Sequence, residues 1–197
     1  MKKLVVASGN KGKFVEIKSI LAPFFDEIIS QKEAGLDLDV EETGTTFAEN
    51  ALLKAREASK RLGVAVIADD SGLCVDCLGG APGVYSARFA GEQHDDEDNR
   101  QKLIHECAAF QEPRTARFVS AAALVFPDGR EIVAEGSVEG EIILTPMGDG
   151  GFGYDSLFYY PPFGKTFAQA DFDEKNSVSH RRNALMKLRE HFLEEAL

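Results

Sequence analysis

Cysteine is scarce in this chain of 197 residues: Cys74, Cys77 and Cys107 are all it has. Three are too few for a disulfide framework, and a chain of this length buries roughly 70% of its unfolded surface without one. Cys74 and Cys77 form a C-x-x-C. Zinc would want a second Cys or His pair, and only Cys107 and 4 scattered histidines remain. With Leu73 and Val75 alongside, the pair reads as small strand residues in a reducing compartment. Long apolar runs are lacking too. The apolar stretch in MKKLVVASGN is about five residues, against about 7–15 in a signal peptide, and nothing approaches the roughly 18 of a membrane span. The expectation is a cytoplasmic protein that does not engage a membrane. Basic residues are in deficit, with 22 Lys and Arg against 33 Asp and Glu and a net charge of −11. Nucleic-acid binding draws much of its affinity from a basic face, so that class is set aside. A small polyanion is a different case. A few converging lysines, with a divalent cation bridging carboxylates to phosphates, can hold a triphosphate on an acidic protein. Repeats, low-complexity tracts and Pro/Ser-rich linkers are also absent, and one continuous domain over residues 1–197 is the default.

What is present reads as interleaved strands and helices. Lys2 to Ala7 is a β-branched run, a buried strand. Ser8 to Lys13 break it, and Phe14, Ile17, Ile20, Leu21 and Phe24 then recur at helical spacing, with Pro23 marking the end. Asp26 to Ser30 is a second strand candidate, followed by a polar, acidic loop. Thr46 and Glu49 form a capping-box pattern that opens a helix with Phe47, Ala51, Leu52, Ala55, Ala58 and Leu62 on its apolar side, closed by Gly63. Val64 to Ala68 is a buried strand that ends in Asp69, Asp70 and Ser71. A helix follows from about Asp96 to Ala109, with Leu103, Ile104 and Cys107 inward. Arg117 to Phe126 and Arg130 to Ala134 flank Pro127-Asp128-Gly129, a hairpin signal. A further strand near Glu141 to Leu144 leads to the loop MGDGGFGYD. The last helix runs from about Ser179 to Glu195, with Ala184, Leu185, Leu188 and Phe192 on one side. The hairpin breaks strict alternation, so the fold is a mixed α/β sheet covered by helices.

Four segments could carry chemistry. Ser8 to Lys13 sit between a strand and a helix. Gly9 and Gly12 allow close backbone approach, helix-start N–H groups favour an anion, and Ser8 and Asn10 can add hydrogen bonds and Lys13 a charge. The Walker spacing is missing, and a simple polar cap is the plainer reading. Glu41, Glu42, Asp69 and Asp70 offer the oxygen ligands that Mg²⁺ prefers; a solvated loop tip is the plainer reading. Because successive strand residues face opposite ways, only one of Asp69 and Asp70 is expected at a metal. Gly150 to Asp155 place Phe152 among glycines, where its ring could stack on a base, worth roughly 1–3 kcal/mol without identifying the base. Lys175, His180 and Arg181, around the start of the last helix, offer donors to an anion or a carbonyl oxygen.

Taken in order, SGNKGK, EETGTTFAENALLKA, ADDSGL, GGAPGVYSARFAG, GGFGYD and EKNSVSHRRNA resemble the inosine/xanthosine triphosphate pyrophosphatase family from the first strand to the last helix. The resemblance implies a long central mixed β-sheet flanked by helices, two lobes with the nucleotide in the cleft between them, and a homodimer. It implies hydrolysis of inosine, deoxyinosine and xanthosine triphosphates (ITP, dITP, XTP) to monophosphate and pyrophosphate. Ser8, Gly9, Asn10, Lys11, Gly12 and Lys13 match the phosphate-binding loop, and Lys54 a helix lysine that reaches the phosphates. Glu41 and Asp70 match the Mg²⁺ site, with Glu42 an open alternative to Glu41. Asp70 also matches the proposed general base, and Ser71 a substrate contact. Phe152, Gly153, Tyr154 and Asp155 match the nucleoside-binding segment, and Lys175, His180 and Arg181 the base pocket. Ser156 stands where the family commonly has Pro. The rival readings are a pyrophosphatase for modified pyrimidine or methylated nucleotides, and a nucleotide-binding regulator without turnover.

Overall fold

A computed structural model describes residues 2–37 and 40–194, with side chains described up to 191. Among these residues, seven strands form one sheet in the order β2-β1-β3-β4-β5-β6-β7. They are β1 (Lys3–Val6), β2 (Glu27–Ser30), β3 (Ala65–Val75), β4 (Thr115–Val125), β5 (Glu131–Ile142), β6 (Phe158–Tyr160) and β7 (Lys165–Thr166). β1 runs parallel to both β2 and β3, while β6 is antiparallel to β5 and β7, so the sheet is mixed as expected. Five α-helices accompany it among the described residues: α1 (Lys11–Leu21), α2 (Phe47–Leu62), α3 (Asp96–Cys107), α4 (Phe172–Val178) and α5 (His180–Glu194).

The helix starts follow local chemistry. Asn10 caps α1, its side chain accepting from the N–H groups of Gly12 and Lys13 at 2.8 and 3.2 Å. Thr46 and Glu49 close a full capping box on α2, and Gly63 ends that helix at φ 65°. Asp95 caps α3, whose first turn carries Asp96, Glu97 and Asp98 against the positive end of the dipole.

The chain divides into two compact units, and the division falls inside β3, β4 and β5. The first unit holds residues 1–70, 120–136 and 180–197. Its core joins Leu4, Val6 and Ile67 of the sheet to Ile17 and Leu21 of α1 and Ala184, Leu185 and Leu188 of α5. Here β5 needs Gly136. A Cβ there would run into the His180 carbonyl and the Ala184 amide and lie 2.7 Å from the Asn183 carbonyl carbon, so α5 can cross only a bare backbone. The second unit, residues 71–119 and 137–179, is built on Leu73, Val75, Leu103, Val138 and Leu157 with a cluster of rings. The Phe158 ring lies 4.6 Å from Phe118 and 4.9 Å from Phe167 between centroids.

Several expectations need correction. Asp69 and Asp70 do not end a strand; β3 carries them in its middle and continues to Val75. Charge reads as a strand breaker only when nothing neutralises it, and here buried partners do. The separate strand near Glu141 is the far end of β5, a single strand of 12 residues. α1 begins within the SGNKGK segment, because Asn10 is its cap. The stretch around Lys175 forms its own short helix, α4, with Ser179 after its end and α5 starting at His180. The Phe192 side chain and Glu195, expected on that last helix, lie outside the described residues. Among the described residues, no helix is long and apolar enough to cross a membrane.

Candidate active site

The first unit gathers the charged groups. Successive residues of β3 face opposite sides of the sheet, so Asp69 and Asp70 enter different environments. The Asp69 carboxylate meets Lys13 of α1 at 2.6 Å, Arg181 of α5 at 3.3 Å and the Ser120 hydroxyl of β4, which donates to it. Arg181 in turn bonds Glu16 of α1 at 2.6 Å. Arg181 is 1% exposed, so the string Glu16–Arg181–Asp69–Lys13 is an internal structure that fixes α1 and α5 to the strand. Burial opposes the charge on Asp69. The Arg181 guanidinium, the Lys13 ammonium and the hydrogen bonds from Lys13 and Ser120 outweigh it and hold the carboxyl far below the usual carboxylate range. Burial, with Arg181 and Lys54 nearby, pulls the Lys13 ammonium down against the attraction of Asp69.

Asp70 is treated differently. Its carboxylate has Asn50 at 3.2 Å and Lys54 at 3.6 Å, both from α2. Burial pushes its pKa above the ordinary value and Glu42 adds to that, only partly offset by Lys54, Lys13 and Asn50. Asp69 is saturated with donors, whereas Asp70 is an under-compensated, desolvated acid. That is the usual electrostatic position of a base or of a ligand awaiting a cation.

Lys54 joins this cluster, donating to Glu42 at 2.8 Å and to the Asp69 carbonyl at 3.1 Å. Burial lowers its pKa, but Asp70 and Glu42 more than reverse that. The preceding loop is pinned to α2. Gly44 donates to the Asn50 side-chain oxygen at 2.8 Å, and a Cβ at Gly44 would come within 2.6 Å of the same atom. Glu41 is elsewhere. It lines a shallow depression with Leu53, Arg56, Glu57, Lys60 and Arg61, and among the described residues no hydrogen bond or ion pair joins its carboxylate to Asp70 or Lys54. Among the described residues no three His, Cys, Asp or Glu side chains converge as a ready metal cage.

Ser8, Gly9, Asn10 and Lys11 line a depression of about 610 Å³ with Phe14 and Gln31. A Cβ at Gly9 would touch nothing within 4 Å, and its φ lies outside the left-handed region, so packing and backbone strain do not explain this glycine. Close approach of a ligand to the backbone would.

In the second unit the glycine-rich loop lines a depression of about 430 Å³ that includes Phe152, Gly153 and Asp155. Phe152 is 42% exposed. Lys175 donates to Asp155 at 2.5 Å, and its ammonium stands 4.8 Å from the Phe152 ring centroid. The same Asp155 oxygen accepts the Phe152 N–H at 2.9 Å. Tyr154 is buried, its hydroxyl donating to the Ser86 carbonyl at 2.7 Å, and burial pushes that hydroxyl well above its ordinary pKa.

Within the first unit, then, Lys13, Lys54, Asp69, Asp70 and Arg181 come together; within the second, Phe152, Asp155 and Lys175 do. Ser71 follows Asp70 directly on β3, while His180 is buried at the start of α5. Asn50, Glu16 and Ser120 were not anticipated. Glu16 had a signal, an acid one helical turn before Ile20 on the apolar side of α1. Ser120 had none, being a small residue in an alanine-rich strand.

A model of the Ham1 family matches residues 4–191. The dITP/XTP pyrophosphatase of Haemophilus influenzae is 51% identical over 190 residues, covering 95% of this chain and 97% of that protein. That of Bacillus subtilis is 48% identical over 189 residues, covering 95% and 96%. Among solved structures, the Staphylococcus aureus Ham1 protein superposes with a TM-score of 0.88 at 46% identity over 100% of both chains. The HAM1 protein of Coxiella burnetii gives 0.89 at 40%, covering 98% of this chain and 100% of that one.

The charge string makes a prediction about stability. Asp69→Asn leaves Arg181 and Lys13 buried with one partner fewer, which costs about 3–5 kcal/mol. The folded carboxyl has a depressed pKa, so its contribution is complete above about pH 4 and is lost progressively as the pH falls from there toward the folded value. Urea unfolding between pH 7 and pH 3 should therefore show a smaller acid loss in Asp69→Asn than in the wild type. Parallel curves, or an unchanged midpoint at pH 7, would remove Asp69 from this role.

Proposed function

The chain belongs to the Ham1 family, and from that premise we propose that it hydrolyses ITP, dITP and XTP to the monophosphate and pyrophosphate. The observation that carries this reading is the contrast between Asp69, neutralised by Lys13 and Arg181, and Asp70, left under-compensated beside Lys54 in the same unit as the amide-rich loop Ser8 to Lys13. The names of the relatives, dITP/XTP pyrophosphatase, support the substrate class.

In this reading Ser8 to Lys13 receive the phosphates on backbone N–H groups at the start of α1, with Lys13 and Lys54 adding charge. Asp70 accepts the proton from the water that attacks the α-phosphorus. A new bond forms between that water oxygen and phosphorus, the bond from the α-phosphorus to the bridging oxygen breaks, and pyrophosphate leaves. Most of the acceleration is positioning and charge stabilisation, as in phosphoryl transfer generally.

Magnesium fits this donor set. Asp70 has acceptor capacity to spare, since its partners stand at 3.2 and 3.6 Å. Glu42 is already paired with Lys54, whereas Glu41 is exposed with its carboxylate uncommitted among the described residues; Glu41 joins Asp70 as a ligand by family correspondence, not by a contact between them. A bound magnesium ion would neutralise triphosphate charge and polarise the phosphorus under attack.

Phe152 stacks on the base, with Gly153, Tyr154 and Asp155 shaping the nucleoside site and Ser71 touching substrate. Lys175 supplies a donor to a 6-oxo group, and His180 does so by family correspondence; Arg181, held inside by Glu16 and Asp69, fixes α5 to the strand instead. Adenine would set its amino group against those donors, and each buried polar group left unpaired costs about 1–3 kcal/mol. The whole chain acts as one pyrophosphatase domain, as a homodimer in the cytoplasm, where its free cysteines persist.

Pyrophosphate release from a panel of triphosphates tests the reading. The kcat/KM for ITP, dITP and XTP should exceed that for ATP and GTP by at least roughly tenfold, which needs only about 1.4 kcal/mol. A preference for ATP or GTP, or for modified pyrimidine nucleotides, would overturn it. The metal assignment is tested separately. Glu41→Gln should raise the magnesium concentration for half-maximal rate about tenfold, and Glu42→Gln should do so by less. The reverse order would hand the site to Glu42.

A further inference from the structure

We infer that Asp96 and Arg100, on the first turns of α3, are positioning residues that hold the aromatic loop ready for the base; the inference rests on the pyrophosphatase reading above. Phe152 is the problem they solve. The residue is 42% exposed, so little packing orients its ring. Its loop is punctuated by Gly148, Gly151 and Gly153, all at positive φ (85°, 72° and 58°). Such a loop has many alternative conformations, and a ring carried on it would lose that freedom each time a ligand bound.

The structure limits that freedom at Gly153, the residue next to the ring. The Gly153 N–H donates to the Asp96 carboxylate at 2.9 Å, and its carbonyl accepts from an Arg100 guanidinium nitrogen at 2.8 Å. Both polar groups of one backbone residue are thus gripped by side chains from a helix more than fifty positions away in sequence. Asp96 and Arg100 are four residues apart, and so share a face of α3. Arg100 is itself steadied by Glu97, which its other terminal nitrogen meets at 2.7 Å. On the other side of the ring the Phe152 N–H is held by Asp155, which also carries Lys175. The backbone of the aromatic residue is therefore tied on both sides, although the ring itself is open. Asp96 and Arg100 line the same depression as Phe152, and the bonds seen from them run to the loop backbone.

Positioning of this kind acts on binding in the ground state and the transition state alike, so it moves KM more than kcat. The test uses the full-length protein with magnesium, calorimetric binding of inosine monophosphate and of inorganic pyrophosphate, steady-state kinetics on ITP, and amide hydrogen exchange. Asp96→Ala and Arg100→Met should weaken inosine monophosphate binding and raise KM about five- to tenfold, while kcat moves less than twofold. Pyrophosphate binding should stay within twofold, and exchange at 151–154 should quicken. Asp96→Asn, which keeps an acceptor oxygen, should restore wild-type behaviour. In a Phe152→Ala background, Asp96→Ala should add less than twofold, because both changes remove the same interaction.

Unchanged monophosphate affinity in Asp96→Ala would overturn the inference, as would equal weakening for both products or a full additional effect without Phe152. Those outcomes leave ITP turnover by the wild type intact. A wild type that releases no pyrophosphate from ITP would instead overturn the functional reading, and this inference with it.

Discussion

Two adjacent carboxylates on one buried strand cannot both be left to water, and the first unit handles them in opposite ways. Asp69 receives two cations and a hydroxyl, drawn from α1, α5 and β4. Among the described residues, Asp70 receives only an amide and a more distant ammonium, both from α2. Much of the rest depends on this asymmetry. The saturated carboxylate pins Lys13, and with it the first turn of α1, whose N–H groups end the strand-to-helix turn. It also holds Arg181, which is tied back to α1 through Glu16. The unsaturated carboxylate is left with chemical capacity. A buried charge that is neutralised from every side contributes to structure; one that is not contributes to reactivity, because burial alone raises its proton affinity.

The two sides of the strand thus do different work through the simplest property of β structure, the alternation of successive side chains. Helices α1 and α5 pack together and serve the side of Asp69, and α2 serves that of Asp70. The second unit uses a different device. Its aromatic residue is exposed, and order is imposed on the backbone around it: by Asp155 on its own N–H, and by Asp96 and Arg100 on the next residue. In the proposed function a stacked base needs an open ring face, so packing cannot be what holds that ring. Side-chain hydrogen bonds to the glycine backbone can.

How much of this was legible in the sequence depended on whether the signal was local. The capping box at Thr46 and Glu49, the strand at Lys3–Val6 and the Pro-Asp-Gly turn after β4 are written within a few residues, and all three were readable. The continuation of β3 through Asp69 and Asp70 was not, since the residues that permit it, Lys13, Ser120 and Arg181, are remote in the chain. β5 was read as two strands because its exposed residues Glu135, Ser137 and Glu139 alternate with small or buried ones and dilute the apolar pattern. Lys175 and Phe152 were legible as candidates, but their meeting over Asp155 required the fold. For the adjacent acids Glu41 and Glu42, no local pattern distinguished the partner of Lys54. The choice of Asp70 over Asp69 came from the resemblance, and the donor count around each carboxylate is the physical reason for proposing it.

That reason is tested most directly by Asp70→Asn, measured for both turnover and stability. Loss of a general base lowers kcat by about 10²–10⁴-fold. Removing an under-compensated buried charge should leave the unfolding midpoint at pH 7 equal to the wild type or above it. A variant with near-normal kcat on ITP, or one destabilised by its uncharged side chain, would contradict the account.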